Sequence, residues 1–502
     1  MNNNSLFILI KTLTKSEKRY FKMLSNNQKG NKQYLEIFDA IDKQKDYNET
    51  QLKDIFKSYK LSKQFNVYKQ YLYQLILKSL LSFNSKTNEK IKVNQLLLQI
   101  EILFNRGLID DAYSFLKKIK KIVYKKEMLS ELLKTLVLEQ TMATHIKTIN
   151  RNSIKNEYDV TINKLKTLYD YTALVTEILI LNNQKKHKNS NTLMQKIKNY
   201  EKKPILKSIN LATTLQAKSN FYTAHLLLNY LKNDYQKAFE LSSKNTKLIS
   251  NKLSKNSPDR IIPYHNHISV SIQGSQFKVA EEYLDKLNQL YKINEKKLSA
   301  YQKYDFVTKI TINQIAICLK TGSLQKGHEI IKDFQKNPKK LFIIKPKESF
   351  LIWFYYYITI LYIIDNNYEK ALEWNNRLFN ILSIHDGDFY INTRFLNLII
   401  HFELHNISLL ESQLQSVSRL LLKQNYSNEF ESVIFSFFKS MLKINDFDFN
   451  LSIVNLVTRL NKIEQNEIRD SYLSHFDYLS WAKSKLERKP MSTIIKESLE
   501  KN

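Results

Sequence analysis

Glycine and proline are scarce in this chain, with six of each in 502 residues, where an ordinary protein gives the two a combined share of about 12%. Strand-rich folds draw on them at nearly every turn, so β-sandwiches, propellers and glycine-rich nucleotide folds are disfavoured. Cysteine is scarcer still. The lone Cys318 has no partner for a disulfide within the chain, which fits a reducing compartment. Its setting, Ile315-Ala316-Ile317-Cys318-Leu319, reads as a small buried hydrophobe rather than a nucleophile. Arginine supplies only ten of the 78 basic residues. Its planar fork is what suits phosphate and guanine, so a net charge of +30 carried mainly by lysine argues weakly for specific nucleic-acid recognition. The heavy Lys, Asn and Ile usage is also what an AT-rich coding sequence produces. Long apolar runs are missing: residues 5–10 are too short for a signal-peptide core, and residues 350–364 stop short of the roughly 20 apolar residues of a membrane helix. A cytoplasmic protein away from the membrane is expected.

What is present is helix. Hydrophobic residues at 43% and aromatics at 12% suffice for a substantial core. One pattern recurs: an apolar helix, a turn with Gly, Asn or Asp, an apolar residue, a small residue three positions later, then a second amphipathic helix. Its clearest copies run from Gly107 through Ile109 to Ala112, from Asn233 through Tyr235 to Ala238, and from Asn366 through Tyr368 to Ala371. Weaker copies pair Phe277 with Ala280, Leu324 with Gly327 just after Gly322, and Leu409 with Ser412. Gly or Asn can take the left-handed conformation that ends a helix, and the small residue lets two helix axes approach closely. From Ala238 the small residues fall at intervals of 42, 47, 44 and 41.

Tyr235-Gln236-Lys237-Ala238 and Tyr368-Glu369-Lys370-Ala371 resemble the second-helix opening of tetratricopeptide repeats. The spacing is longer than the standard 34 residues and the Trp-Leu-Gly signature is missing, so the resemblance is to a TPR-like repeat, over roughly residues 90–440. It implies an α-solenoid and no catalytic residues. The chain also resembles uncharacterised bacterial proteins of similar length that open with Lys-Ser-Glu-Lys-Arg-Tyr-Phe, here residues 15–21.

Residues 1–84 read as a separate helical module. Thr14-Lys15-Ser16-Glu17 is a capping box; further helices are expected at residues 33–41, from Glu49, and at residues 63–83, the last burying Leu72, Leu75, Ile76 and Leu80. The break before that last helix admits a helix-turn-helix reading, with Lys63, Gln64, Asn66, Lys69, Gln70 and Tyr73 offered to DNA. Residues 1–83 hold fifteen basic and seven acidic side chains. The presumed reading helix has no Arg, however, so a structural cap on the repeat array is favoured. Long helices without the repeated turn are expected over residues 128–200.

Other motifs weigh less. The basic run at residues 117–126 alternates with apolar positions at helical spacing and reads mainly as a solvated face. His401 and His405 sit one turn apart without a third metal ligand, and His265 and His267 flank Asn266 in a loop or helix start. Gly322 to Gly327 has the glycine spacing of a phosphate loop, but His328 and Glu329 stand where Lys and Ser/Thr are required. Aromatics cluster at Trp353, Tyr355, Tyr356, Tyr357, Tyr362 and Tyr368, and at Tyr222, Tyr230 and Tyr235; some tyrosines are expected to face a groove.

These readings predict an all-α protein: a module at residues 1–84, a TPR-like array at 85–440 and a helical cap at 441–502 with Trp481 and Leu486 on its buried face. The expected function is non-catalytic protein or peptide binding, without cofactor or metal. A DNA-binding regulator is the alternative.

Overall fold

A computed structural model describes residues 4–26, 33–55, 65–86, 88–184, 190–296, 298–336, 346–382, 388–423, 429–442, 449–465 and 476–500. Among these residues there are 24 α-helices, a few single 3-10 turns and no strand. Packing divides the chain into two compact units, Met1–Asp170 and Tyr171–Asn502.

The first unit opens with α1 (Ser5–Thr12), α2 (Lys15–Asn26), α3 (Gln33–Lys43), α4 (Glu49–Ile55) and α5 (Phe65–Asn84). The capping box forms: Thr14 N–H donates to Glu17 Oε2 at 2.7 Å, and Glu17 N–H to Thr14 Oγ1 at 3.2 Å. These helices share a core of their own that includes Leu6, Ile10, Phe21, Phe38, Leu52 and Leu72. On α5, Leu72 and Ile76 are buried while Leu75 and Leu80 are only partly covered. The helices α6 (Glu89–Asn105), α7 (Ile109–Lys125) and α8 (Leu129–Met142) build a second cluster around Leu97, Leu116 and Leu136. The 34-residue α9 (Arg151–Gln184) contains the boundary between the units. Of the long helices expected over residues 128–200 it is the one that forms, since α8 has 14 residues and the next helix, Ser190–Glu201, has 12.

The second unit continues through α10 (Ser190–Glu201), α11 (Leu215–Leu231), α12 (Tyr235–Lys252), α13 (Ile261–Gln273), α14 (Phe277–Asn294), α15 (Ala300–Thr321) and α16 (Leu324–Lys336). It ends with α17 (Glu348–Ile364), α18 (Tyr368–Phe379), α19 (Asp388–Glu403), α20 (Ile407–Lys423), α21 (Glu429–Met441), α22 (Phe449–Gln465), α23 (Tyr478–Glu487) and α24 (Met491–Glu500). From α11 onward these helices pack in series, each against its successor wherever a short turn joins them. In addition α11, α13, α15, α17 and α19 each touch the next in that set. A stack in which every hairpin is covered mainly by its neighbours is a helical-repeat arrangement. The apolar stretch at residues 350–364 is α17, whose buried side chains lie on every side of the helix, and no described helix is long and apolar enough to cross a membrane.

One turn geometry builds these hairpins. Positive φ occurs among the described residues at Gly107, Glu127, Asn233, Ser275, Gly322, Asn366, His405 and Arg488. In each case the next residue's N–H reaches back to close the helix end, as in Leu108 to the Leu103 carbonyl and Asn367 to the Tyr362 carbonyl, over 2.7–3.1 Å. This is the Schellman closure, and it satisfies carbonyls that a helix end leaves unpaired. At seven of the eight turns the same residue's carbonyl then accepts the first helical bond of the following helix, from Ala112, Leu132, Ala238, Ala280, Gly327, Ala371 and Leu410. All seven are buried.

The structure corrects the register of the last repeat. Leu409 and Ser412 are exposed, and Leu410 takes the buried position, five residues after His405. The array therefore tolerates a larger side chain there, where the sequence pattern asked for a small one. Pro263 does not interrupt its helix. It lies inside the first turn of α13, where its missing N–H is no loss. Leu486 is 38% exposed, so Trp481 alone of the two anchors the C-terminal helices.

Candidate functional site

The DNA-reading candidates resolve unevenly. Lys63 and Gln64 lie outside the described residues, and Asn66 and Gln70 are exposed on α5. Lys69 is 3% exposed and cannot be offered to DNA. Its Nζ donates to Glu49 Oε2 at 2.8 Å and to the Tyr47 hydroxyl at 2.9 Å. Hydrogen bonds from Lys53 and Lys69 hold the Glu49 carboxyl at about 2, well below its ordinary value. An internal ion pair thus takes the central cation of the presumed reading helix.

Of the candidate histidines, His267 and His401 are buried, His265 is half-buried and His405 is exposed. His265 and His267 lie within α13 rather than in a loop. Asn313 Nδ2 donates to His265 Nδ1 at 2.9 Å, and burial, aided by Lys309, lowers that imidazole to about 3. His267 Nδ1 lies 2.7 Å from Ser242 Oγ, a contact that in an open cleft would suggest a base and its nucleophile. Here the ring is 2% exposed and packed between Phe239 and Tyr283, and burial lowers it to about 4. His401 is buried near the end of α19, whereas His405 forms the left-handed turn beyond it, so the two do not share a helix face. Among the described residues no group of three His, Cys, Asp or Glu side chains is arranged to hold a metal ion. Burial pushes the Cys318 thiol up to about 11, consistent with a packed hydrophobe.

The second unit carries a cleft of about 350 Å³, walled by the C-terminal part of α9 and the first helices α11, α13 and α15. On α11 the lining positions Gln216, Ser219, Asn220, Thr223 and Leu227 follow one helical stripe. Gln216 Nε2 donates to Asn220 Oδ1 at 3.1 Å, and Asn220 Nδ2 donates to Thr172 Oγ1 at 3.0 Å. Asn266 on α13 and Gln302 at the start of α15 add two more carboxamides. The Asn266 carboxamide makes no hydrogen bond among the described residues, while Gln302 shares a capping box with Ser299. Val175, Leu179 and Ile262 supply the apolar wall, and Leu179 and Ile262 are about half exposed. Two carboxylates line the cleft: Asp305, paired with Lys309, and the exposed Asp259, which accepts from Ser257 Oγ at 3.2 Å.

Among the described residues no tyrosine lines this cleft. Tyr356 and Tyr362 are buried, and Trp353, Tyr355, Tyr357, Tyr368, Tyr222, Tyr230 and Tyr235 are half-buried. Burial raises the Tyr230 and Tyr357 hydroxyls far above their ordinary range. The aromatic clusters therefore serve packing, and the cleft is made of amides and aliphatic groups that the sequence reading did not single out. The i, i+4 pairing of Gln216 with Asn220 was the available signal. Gly107, Ala112, Ala238, Phe277, Ala280, Gly322, Gly327 and Ala371 all occupy hairpin turns or helix crossings rather than the cleft. No known protein-family model matches the chain, and no curated protein matches it either.

Proposed function

We propose that this chain is a TPR-like helical-repeat scaffold that binds an extended peptide segment of a protein partner in the α9/α11/α13/α15 cleft, acting in the cytoplasm as an adaptor without catalysis. The observation that carries the reading is the cleft's lining of Gln216, Asn220, Asn266 and Gln302 beside Val175, Leu179 and Ile262. A carboxamide offers one acceptor and two donors, the complement of a peptide group, whose N–H and C=O are both unpaired in an extended segment. The aliphatic wall would take the ligand's alternate side chains, and the exposed Asp259 carboxylate at its edge would suit a ligand with a basic side chain there.

Selection of a phage-displayed random peptide library on the full chain tests this. Enriched peptides should bind the purified protein and lose about tenfold or more in affinity with Asn220→Ala plus Asn266→Ala, or with Ile262→Asp. No enrichment, or enriched peptides indifferent to those changes, would count against it. The DNA-binding alternative keeps the basic excess of residues 1–83 as its support. Duplex retardation that falls steeply with salt and vanishes without residues 1–84 would favour it.

A further inference from the structure

Independently of that cleft, the first unit carries an apolar trough of about 320 Å³ between α6 and α7, lined by Leu96, Gln99, Ile102, Leu103, Phe115 and Ile119 among others. Ile102 is 56% exposed and Phe115 47% exposed, and Ile122, seven residues beyond Phe115 on the same stripe, is also open to solvent. Large apolar side chains gathered in a concave surface, rather than scattered singly, mark an interaction site.

The lysines around it divide into two sets. Lys120 pairs with Glu139 and Glu157, Lys126 with Glu89, and Lys90 approaches Glu131 at 3.6 Å. Lys92, Lys118 and Lys125 have no carboxylate partner among the described residues and are exposed. All three lie along the trough by helical spacing: Lys92 four residues before Leu96, Lys118 three after Phe115, and Lys125 three after Ile122. Lys118 Nζ stands 5.4 Å from the Phe115 ring centroid. Arg106, three residues after Leu103, adds a fourth cation at the end of α6; of the carboxylates on these stripes, Glu89 is already taken by Lys126, which leaves Asp111, four before Phe115.

We infer that the α6/α7 trough is a docking site for an acidic amphipathic helix of a protein partner. Its apolar residues at i, i+3 and i+4 would fill the trough, and its flanking carboxylates would pair with Lys92, Lys118 and Lys125. The walls are two helices whose backbone groups are already paired, so an extended segment would bring unpaired amides against apolar side chains. A helix satisfies its own backbone and presents only side chains. The unpaired cations select the charge of the incoming face and add to its association rate.

A fluorescein-labelled synthetic helix of about 18 residues, roughly five turns, with leucines on one face and glutamates on the other, is the probe. Anisotropy titration on the full chain at low ionic strength should show saturable binding that weakens with salt. The same peptide with lysines in place of glutamates should bind at least about tenfold more weakly. Phe115→Ser with Ile102→Ser should weaken binding about tenfold or more. So should Lys118→Glu with Lys125→Glu, and this second pair should also flatten the salt dependence. All four positions are exposed, and unchanged helical circular dichroism confirms folding. Asn220→Ala plus Asn266→Ala should leave this binding untouched. Equal affinity for the acidic and basic peptides, or indifference to Phe115→Ser with Ile102→Ser, overturns the inference. Capture of phosphatidylserine vesicles in place of the peptide, or self-association of the chain abolished by Phe115→Ser, overturns it equally by naming a different occupant.

Discussion

Leu361 packs so closely on Gly327 that a β-carbon at residue 327 would stand 2.7 Å from its Cδ1 and 2.9 Å from its Cδ2. This is where α16 crosses α17, and Leu361 is fully buried, so its methyl groups can yield only by displacing the side chains packed around them. Gly327→Ala should lower stability by on the order of 1 kcal/mol, because an overpacking penalty of about 1–3 kcal/mol exceeds the helix-propensity gain of about 1. Gly327→Val should cost more. Urea unfolding of Gly327→Ala, Leu361→Ala and the double variant checks it: the double variant should lose less than the two single losses added together. Strict additivity would mean the crossing is looser than the geometry requires.

Acid should destabilise the second unit through its histidines. Burial lowers His265 to about 3 and His267 to about 4, and it also lowers His225 and His401. In the unfolded chain each ring protonates near about 6.5, so below that pH the unfolded state takes up protons that the folded state refuses. The stability these rings confer is whole above about 6.5 and is lost as pH falls from there toward 4 and then 3. The urea midpoint should therefore decline between about pH 6.5 and 4.5, before most carboxylates titrate. His265→Gln with His267→Gln should flatten that decline, and a slope unchanged by the pair would remove the histidines as its cause.

The hairpins were legible in the sequence because their turns are local. Left-handed Asn or Gly, a cap, and a small residue at a crossing are set within six positions, as Asn233 to Ala238 and Asn366 to Ala371 display. Where another residue type holds the left-handed position, as Glu127 and His405 do, the composition signal fails although the hydrogen bonding is unchanged. The turn at Glu127 was missed for that reason, and the one at His405 was set two residues out of register. The cleft was not legible. Gln216, Asn266 and Gln302 come from three hairpins, and only packing brings them to one wall. Lys69 misled for the same reason, since its partner Glu49 lies on another helix.

Lys69 should prove structural. Lys69→Met removes the charge that meets Glu49 and Tyr47 in a site where the lysine is almost fully covered. Unfolding stability of the first unit should fall by about 1–3 kcal/mol, the range for hydrogen bonds to charged groups. Any retardation of duplex DNA by the full chain should stay within experimental error of the unmutated protein. Loss of retardation at unchanged stability would restore Lys69 to a nucleic-acid surface.

Glu403 ties the C-terminal helices to the array. Its Oε1 accepts from Trp481 Nε1 at 2.7 Å and its Oε2 from Lys485 Nζ at 2.6 Å, joining α19 to α23 across 78 and 82 residues of sequence. Glu403→Leu strands the Trp481 N–H and leaves Lys485 only the Tyr368 hydroxyl at 3.3 Å, so it should cost about 2–4 kcal/mol, while Glu403→Gln, which keeps one acceptor, should cost less. Limited proteolysis should release the segment beyond residue 476 faster in Glu403→Leu, with a shift in Trp481 fluorescence. Equal protection of the two variants would show that Phe402, Phe437 and Phe438, which pack on Trp481, hold the helices without the carboxylate.

The left-handed turns offer stability that the sequence leaves unused. Ser275 at φ 58° and Arg488 at φ 54° hold a conformation that crowds a β-carbon against the following carbonyl, whereas Gly107 and Gly322 hold it freely. Ser275→Gly and Arg488→Gly should each raise stability by roughly 1 kcal/mol, the relief of strain outweighing the larger entropy of glycine in the unfolded chain. The gain depends on the Schellman bonds from Gln276 to Ser271 and from Lys489 to Ser484, which the substitution leaves intact. Glycine placed at the neighbouring helical positions Lys278 and Lys483 should instead cost about 0.5–1 kcal/mol or more. Thermal unfolding of the four single variants separates the two signs. If glycine destabilises at all four positions, the positive φ at Ser275 and Arg488 is not where the strain lies.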